Sequence, residues 1–362
     1  MKYNVVVLPG DGIGPEIIAE SVKVMDAIGK KYGHEFNYDY ALIGGVAIEE
    51  EGVAVSQETI NKCKNSDAVL LGAVGDPRYD DPQEPVHPED GLLALRKELG
   101  LFANIRPVLA YPSLVGHTNF KPGVLDGVDF VFVRELTGGL YFGQPKKRWE
   151  EADGRWAVDS MVYSEHEIAR IVRVGFEIAR TRKKKLISVD KANVLQSSRL
   201  WRQIAIEISS EYPDVELEHM LVDACAMRII QNPKYLDVLV TENTFGDILT
   251  DEASMLGGSL GMLASASLAG VPKAGERTLG MYEPSHGSAP RHKGLNDANP
   301  IATILSMAMM LNYSFGLSEE AAAVENAVAK VLEEKYGTYD IIGEGSTKVS
   351  TSQMGDLIAE RV

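Results

Sequence analysis

Three arginines stand beside apolar elements, where a bare guanidinium is costly. Arg96 lies in the helical pattern Gly91–Leu99, Arg106 precedes Pro107, and Arg134 closes the apolar run Val128–Val133. An arginine at the end of a buried strand needs a protein carboxylate or an anionic ligand as partner. One such arginine has an ordinary structural explanation; three together bring a polyanion site into contention. Asp247 and Asp251 are i and i+4, so a helix here puts both carboxylates on one face, where they repel unless a cation sits between them. Asp223, after the apolar stretch His219–Val222, is a further acidic candidate. Hard oxygen donors suit Mg²⁺ or Mn²⁺, and the two cysteines, Cys63 and Cys225, offer no zinc site instead. The competing explanation is a helix first turn, where aspartates favour the macrodipole. Lys191, just past the run Leu186–Val189, and Tyr141, in Gly138–Gly143, are acid–base candidates if partly desolvated. Taken singly, each is more often structural.

Glycines punctuate the N-terminal segment Gly10-Asp11-Gly12-Ile13-Gly14-Pro15-Glu16, which follows a strand pattern and opens a helix. Its G-x-G-x-G spacing is not the G-x-G-x-x-G of a dinucleotide-binding turn, and no acidic residue ends a second strand some 20 positions on. A tight turn that needs glycine backbone freedom explains it equally well. The Pro- and Asp-rich segment Gly75–Asp90 is expected to be an exposed loop near a site. The basic cluster Arg182–Lys185 is expected at the end of a helix, where cations favour the dipole.

The elements that must position these residues are legible from periodicity. Asn4–Leu8, Asp67–Leu71, Val128–Val133, Leu186–Val189 and Leu236–Val240 are runs without polar alternation, the pattern of strands buried on both faces. In Glu165–Lys185 the apolar residues Ile168, Ile171, Val172, Phe176 and Ala179 mark one helix face. Ser318 is expected to cap an Ala-rich helix running to Lys335, stopped by Gly337. Strands alternating with helices predict an α/β protein, and 362 residues suggest two domains. A net charge of −16 argues against nucleic acid or an anionic membrane as the main partner. No apolar run is long enough to span a bilayer, and the N-terminus enters a strand directly. With only two cysteines, a cytoplasmic location is expected.

The segments PGDGIGPE (9–16), LRKELGLFANIRP (95–107), RELTGGLYFG (134–143), VDKAN (189–193), FGDILTDEAS (245–254) and EPSHGSAP (283–290) occur in the order typical of the β-decarboxylating dehydrogenases, and the chain resembles that family over essentially its whole length. The family comprises isocitrate, isopropylmalate, homoisocitrate, and tartrate or D-malate dehydrogenases. The resemblance implies the isocitrate/isopropylmalate dehydrogenase-like fold, two α/β domains sharing a large mixed sheet, and not a Rossmann fold. It implies a discontinuous cofactor-binding domain, 1–101 with 257–362, and a substrate, metal and dimerisation domain, 102–256. The active site would lie between these domains and be shared across a homodimer. Carried over position by position, Arg96, Arg106 and Arg134 would clamp the carboxylates of a 2-hydroxy diacid. Asp247 and Asp251, with the partner chain's equivalent of Asp223, would hold Mg²⁺ or Mn²⁺. Lys191, also supplied across the dimer, would help remove the hydroxyl proton, and Tyr141 would protonate the enol.

Substrate and cofactor choice rest on finer positions. Leu92 and Leu93 precede Arg96 by four and three residues and with Val194 would form an apolar pocket suited to an isopropyl branch, as in 3-isopropylmalate. A third carboxylate against these leucines would cost several kcal/mol, which disfavours isocitrate. D-malate, tartrate and homoisocitrate remain as alternatives of the same family, and a non-catalytic scaffold as one of another class. The resemblance also assigns Ile13, Glu89, His286, Gly287, Ser288, Ala289, Pro290, Arg291 and Asn299 to the cofactor. NAD is expected on overall likeness. NADP is kept open because Arg291, followed by His292, stands where an aspartate normally reads the ribose, and an arginine attracts a 2′-phosphate.

Overall fold

The computed structural model describes residues 1–81, 83–121, 123–272 and 277–362. Among them the strands longer than two residues are β1 (Lys2–Gly10), β2 (Glu35–Tyr40), β3 (Ala68–Ala73), β4 (Ala103–Leu109), β5 (Asp129–Glu135), β6 (Lys147–Glu151), β7 (Gly154–Val158), β8 (Lys185–Asp190), β9 (Glu216–Leu221), β10 (Val238–Thr241), β11 (Ala264–Leu268) and β12 (Gly280–Pro284). The helices are α1 (Gly14–Tyr32), α2 (Gly45–Glu51), α3 (Gln57–Lys64), α4 (Pro88–Glu98), α5 (Glu165–Arg180), α6 (Gln196–Ser209), α7 (Val222–Gln231), α8 (Asn243–Ser254), α9 (Ile301–Tyr313), α10 (Ser318–Glu333) and α11 (Thr351–Ala359). Ten strands form one sheet in the order β2-β1-β3-β12-β11-β4-β5-β10-β8-β9. The flanks are parallel, whereas β12, β11, β4 and β5 pair antiparallel in the middle. This is the α/β fold with a large mixed sheet, and it has no Rossmann strand order.

All five apolar runs lie in strands of this sheet, and β3 is buried along its whole length. Helices cover both faces, so the middles of these strands are buried on both sides and need no polar alternation. The helix expected from residue 165 carries its apolar face as spaced: Ile168, Ile171, Val172, Phe176 and Ala179 are fully buried. Each of these apart from Ala179 contributes about 1.5–3 kcal/mol of hydrophobic free energy.

Two boundaries differ from expectation. α5 ends at Arg180, before the basic cluster, and Lys184 turns through φ +60° into β8. The cluster therefore lies on the turn, where Arg182 pairs with Asp129 and Asp237, and Lys185 with Glu218. Ion pairing, not the helix dipole, explains it. α10 begins at Ser318, but Leu317 is its N-cap and the Ser318 hydroxyl bonds Asn312 instead. Lys335, at φ +64°, breaks the chain direction before Gly337 is reached.

Candidate active site

The sheet delivers the arginines from different strands and helices to one crevice. Arg134 at the end of β5 is 3% exposed, and its guanidinium donates to Asn243 Oδ1 (2.8 and 3.2 Å) and pairs with Asp247. Arg106 on the adjacent β4 donates to Asn104 Oδ1 (2.7 Å) and Thr250 Oγ1 (2.6 Å), and lies 3.7 Å from Asp251. Burial, and then the Arg134 guanidinium beside it, push the pKa of Arg106 below its ordinary value. Two buried like charges so close call for anions. Arg96 on α4 reaches across to Glu283 on β12 (3.0 Å), and its Nε is buried with no partner among the described residues. All three are thus aimed at one place, each with a single carboxylate within 4 Å among the described residues.

Asp247 and Asp251 share a face of α8, as their spacing requires. Neither sits in the first turn, so the dipole explanation fails; Glu242 caps that end, accepting from the amides of Thr244 (3.0 Å) and Phe245 (2.6 Å). Burial raises the pKa of Asp251, Arg106 offsets this, and Asp247 adds to it. That mutual repulsion between oxygen donors fits a hard divalent cation. Among the described residues of one chain, however, no three acidic, His or Cys side chains gather as a metal site. Asp223, in the first turn of α7, pairs instead with Lys191 (2.8 Å) just beyond β8. Tyr141, on the short turn Gly139–Tyr141, donates to Asp247 Oδ2 (2.9 Å). Burial and then this bond raise its phenol to about 12.

A second hollow, of about 450 Å³, lies by the glycine turn and is lined by Ile13, His286, Gly287, Ala289, Asn299 and Asp340, with His292 and Tyr339 at one side. Gly10 and Gly12 adopt φ +69° and +56°. A side chain at Gly12 would lie 2.0 Å from the Ser288 carbonyl, which accepts the Ile13 amide at 2.9 Å. The turn is therefore built for close approach to the segment Gly287–Pro290. Burial pushes the His286 imidazole down from its ordinary pKa, and its Nε2 is buried without a partner among the described residues. Asn299 donates to Asp340 (3.1 Å), and His292 stacks on Tyr339 at 4.5 Å. Arg291 is exposed and makes no ion pair among the described residues. Glu89 is exposed near the start of α4, on the loop side of the crevice.

The apolar trio is less uniform than its sequence suggests. Leu92 is half-buried against the cluster that includes Ile43 and Leu95, whereas Leu93 and Val194 are 39% and 62% exposed. Sequence reasoning missed the second rank of residues, Asn104, Asn243, Thr250, Glu283 and Asp340. Only Asn104 carried a local signal, lying two before Arg106 on a strand and so on the same face.

The sequence profile described as Isocitrate/isopropylmalate dehydrogenase matches residues 4–358. A 3-isopropylmalate dehydrogenase of Dehalococcoides mccartyi is 66% identical over 361 residues, covering 99% of each chain. One from Geobacillus kaustophilus is 56% identical, covering 100% of this chain and 96% of its own. Among solved structures, isocitrate dehydrogenase from Methylococcus capsulatus superposes with a TM-score of 0.84 at 33% identity, covering 99% of both chains. A β-decarboxylating dehydrogenase from Thermococcus kodakarensis in its apo form gives 0.79 at 32% identity, covering 99% of this chain and 96% of that one.

Proposed function

This chain belongs to the isocitrate/isopropylmalate dehydrogenase family, and from that premise we infer that it catalyses the oxidative decarboxylation of 3-isopropylmalate to 2-oxoisocaproate, a step of leucine biosynthesis. The observation that carries the reading is the convergence of three arginines with the Asp247–Asp251 face in one crevice. With a divalent cation on the Asp247–Asp251 face, the arginines would be left short of negative charge, which a small dianion would supply.

Arg96, Arg106 and Arg134 bind and orient the two carboxylates, with Asn104, Asn243 and Thr250 fixing the planes of the inner two guanidinium groups. Asp247 and Asp251 would hold Mg²⁺ or Mn²⁺ together with Asp223 of a second copy. Asp223 and Lys191 keep each other's company at 2.8 Å and so travel as a unit. This supports a homodimer in which each pair serves the other chain's crevice. A divalent cation held there would supply polarisation of the substrate's C2 oxygen, and a nicotinamide in the adjoining hollow would supply the acceptor for the C2 hydride, so that the new 2-oxo group could take up the electron pair of the carbon–carboxylate bond as CO₂ leaves. Lys191 takes the hydroxyl proton, and Tyr141, held protonated, returns one to the enol carbon.

Leu92, Leu93 and Val194 receive the isopropyl branch; the exposure of Leu93 and Val194 fits a surface left for ligand or partner to cover. The hollow beside the glycine turn takes the cofactor, with Ile13, Glu89, His286, Gly287, Ser288, Ala289, Pro290, Arg291 and Asn299 around it. The two domains are 1–101 with 257–362, and 102–256, meeting at the β4–β11 pairing. We assign NAD as the cofactor. NADP is the second reading, favoured by one observation, the exposed Arg291, without an ion pair among the described residues, where a 2′-phosphate would sit. The direct test is NADH formation from 3-isopropylmalate with Mn²⁺, abolished in Lys191→Ala. Full activity in that variant would refute the assignment of the base.

A further inference from the structure

Asp11 is 6% exposed, and its carboxylate has no cationic partner among the described residues. It is satisfied by backbone alone. Oδ2 accepts from the amides of Gly45 (2.8 Å) and Gly75 (2.9 Å), and Oδ1 from Val46 (2.9 Å). These amides belong to two separate segments, the start of α2 and the loop leaving β3. Three amides on a buried carboxylate are the arrangement that keeps a charge in place without a counter-ion. The geometry leaves no slack. A side chain at Gly44 would come within 2.3 Å of Asp11 Oδ2, and Gly44 and Gly75 hold φ +82° and +131°.

What Asp11 ties together matters more than the tie itself. Its own backbone is pinned to β3 through Ala73 (2.8 Å), and it lies within the glycine turn that meets Ser288 through Ile13. On the other side, a Cβ at Gly75 would be 3.3 Å from Ser288 Oγ and 3.4 Å from Glu89 Oε1. Gly75 thus sets the distance between the loop leading to α4 and the Ser288 segment. We propose that Asp11 is a positioning residue for cofactor binding: its carboxylate holds Gly75 and the α2 amides so that Ile13, Ser288 and Glu89 stay in register. The proposal rests on the cofactor hollow assigned above. Nothing in it requires Asp11 to touch cofactor or substrate.

Replacing Asp11 by Asn keeps the shape but converts one acceptor oxygen into a donor that faces amide N–H groups. The loops must then separate. The test titrates NADH into the parent, Asp11→Asn, Gly75→Ala and Asp67→Asn, following nicotinamide fluorescence without substrate. Asp67 accepts the Asn4 amide (2.8 Å) at the far end of the strands and controls for loss of a comparable bond. Expected are about tenfold weaker NADH binding in Asp11→Asn and Gly75→Ala, parent affinity in Asp67→Asn, and KM for cofactor raised more than kcat is lowered. Gly75→Ala, on a loop, keeps the test open should Asp11→Asn fail to fold. Parent-like NADH affinity in both variants, or a fall in kcat with cofactor KM unchanged, overturns the proposal. A parent chain that binds no nicotinamide cofactor overturns the cofactor hollow itself, and the positioning role with it.

Discussion

On the proposed mechanism, the second half of the chemistry turns on Tyr141. With its phenol raised to about 12, it remains protonated well above the pH at which a free tyrosine ionises, so it keeps a proton to deliver at neutral pH. Burial and the Asp247 bond both stabilise the neutral form, so in the metal-free protein this phenol should resist ionisation up to pH 10, read as the ultraviolet difference between parent and Tyr141→Phe. Tyr141→Phe removes the donor and leaves the ring. It should lower kcat about 10²–10³-fold with KM for 3-isopropylmalate within about threefold, measured in steady state. A fall smaller than tenfold would mean another group carries the proton. At this scale the three arginines, the paired aspartates, Lys191 and Tyr141 could all be singled out in the sequence, because charge beside apolar runs is conspicuous. Glu283 could not, since its contact with Arg96 spans 187 residues and leaves no local trace.

At the scale of elements, α4 presents Arg96 to the crevice and α8 presents both aspartates, and each depends on a defined start. α4 begins at Pro88, with Asp90 folding back onto the His87 amide at 2.8 Å. α5 has the same kind of start away from the crevice. Ser164 Oγ accepts the Glu167 amide (3.3 Å) while Glu167 accepts the Ser164 amide (2.8 Å). Ser164→Ala should cost about 1 kcal/mol in urea unfolding and leave kcat unchanged. A loss of activity without loss of stability would contradict a purely capping role. Helix and strand interiors were readable because burial enforces their period. The ends were not: α5 stops five residues short of the expected Lys185 because Lys183 and Arg182 are captured by Asp237, a partner on another connection. The antiparallel join of β4 to β11 was equally invisible, as register between distant strands is fixed only when the sheet assembles.

For the molecule as a whole, one crevice gathers two of the three expected carboxylate ligands, and the third stays with Lys191. Two copies resolve the mismatch if each lends that pair to the other. Lys191→Ala and Tyr141→Phe dimers, each nearly inactive, should regain about a quarter of parent activity when mixed and reassociated, since half the dimers are then mixed and each carries one intact site. Activity no greater than the sum of the two variants would show that Lys191 and Tyr141 serve the same chain. No described helix is long and apolar enough to cross a membrane, which agrees with the charged, mixed surface that the composition implies. The central claim, that this crevice selects an apolar branch on a 2-hydroxy diacid, is tested most directly by initial rates on 3-isopropylmalate, isocitrate, D-malate and tartrate with Mn²⁺, using NAD and NADP in turn. Here kcat/KM for 3-isopropylmalate should lie at least about tenfold above the others, the worth of burying a few methyl groups. A higher kcat/KM for isocitrate or D-malate would contradict it.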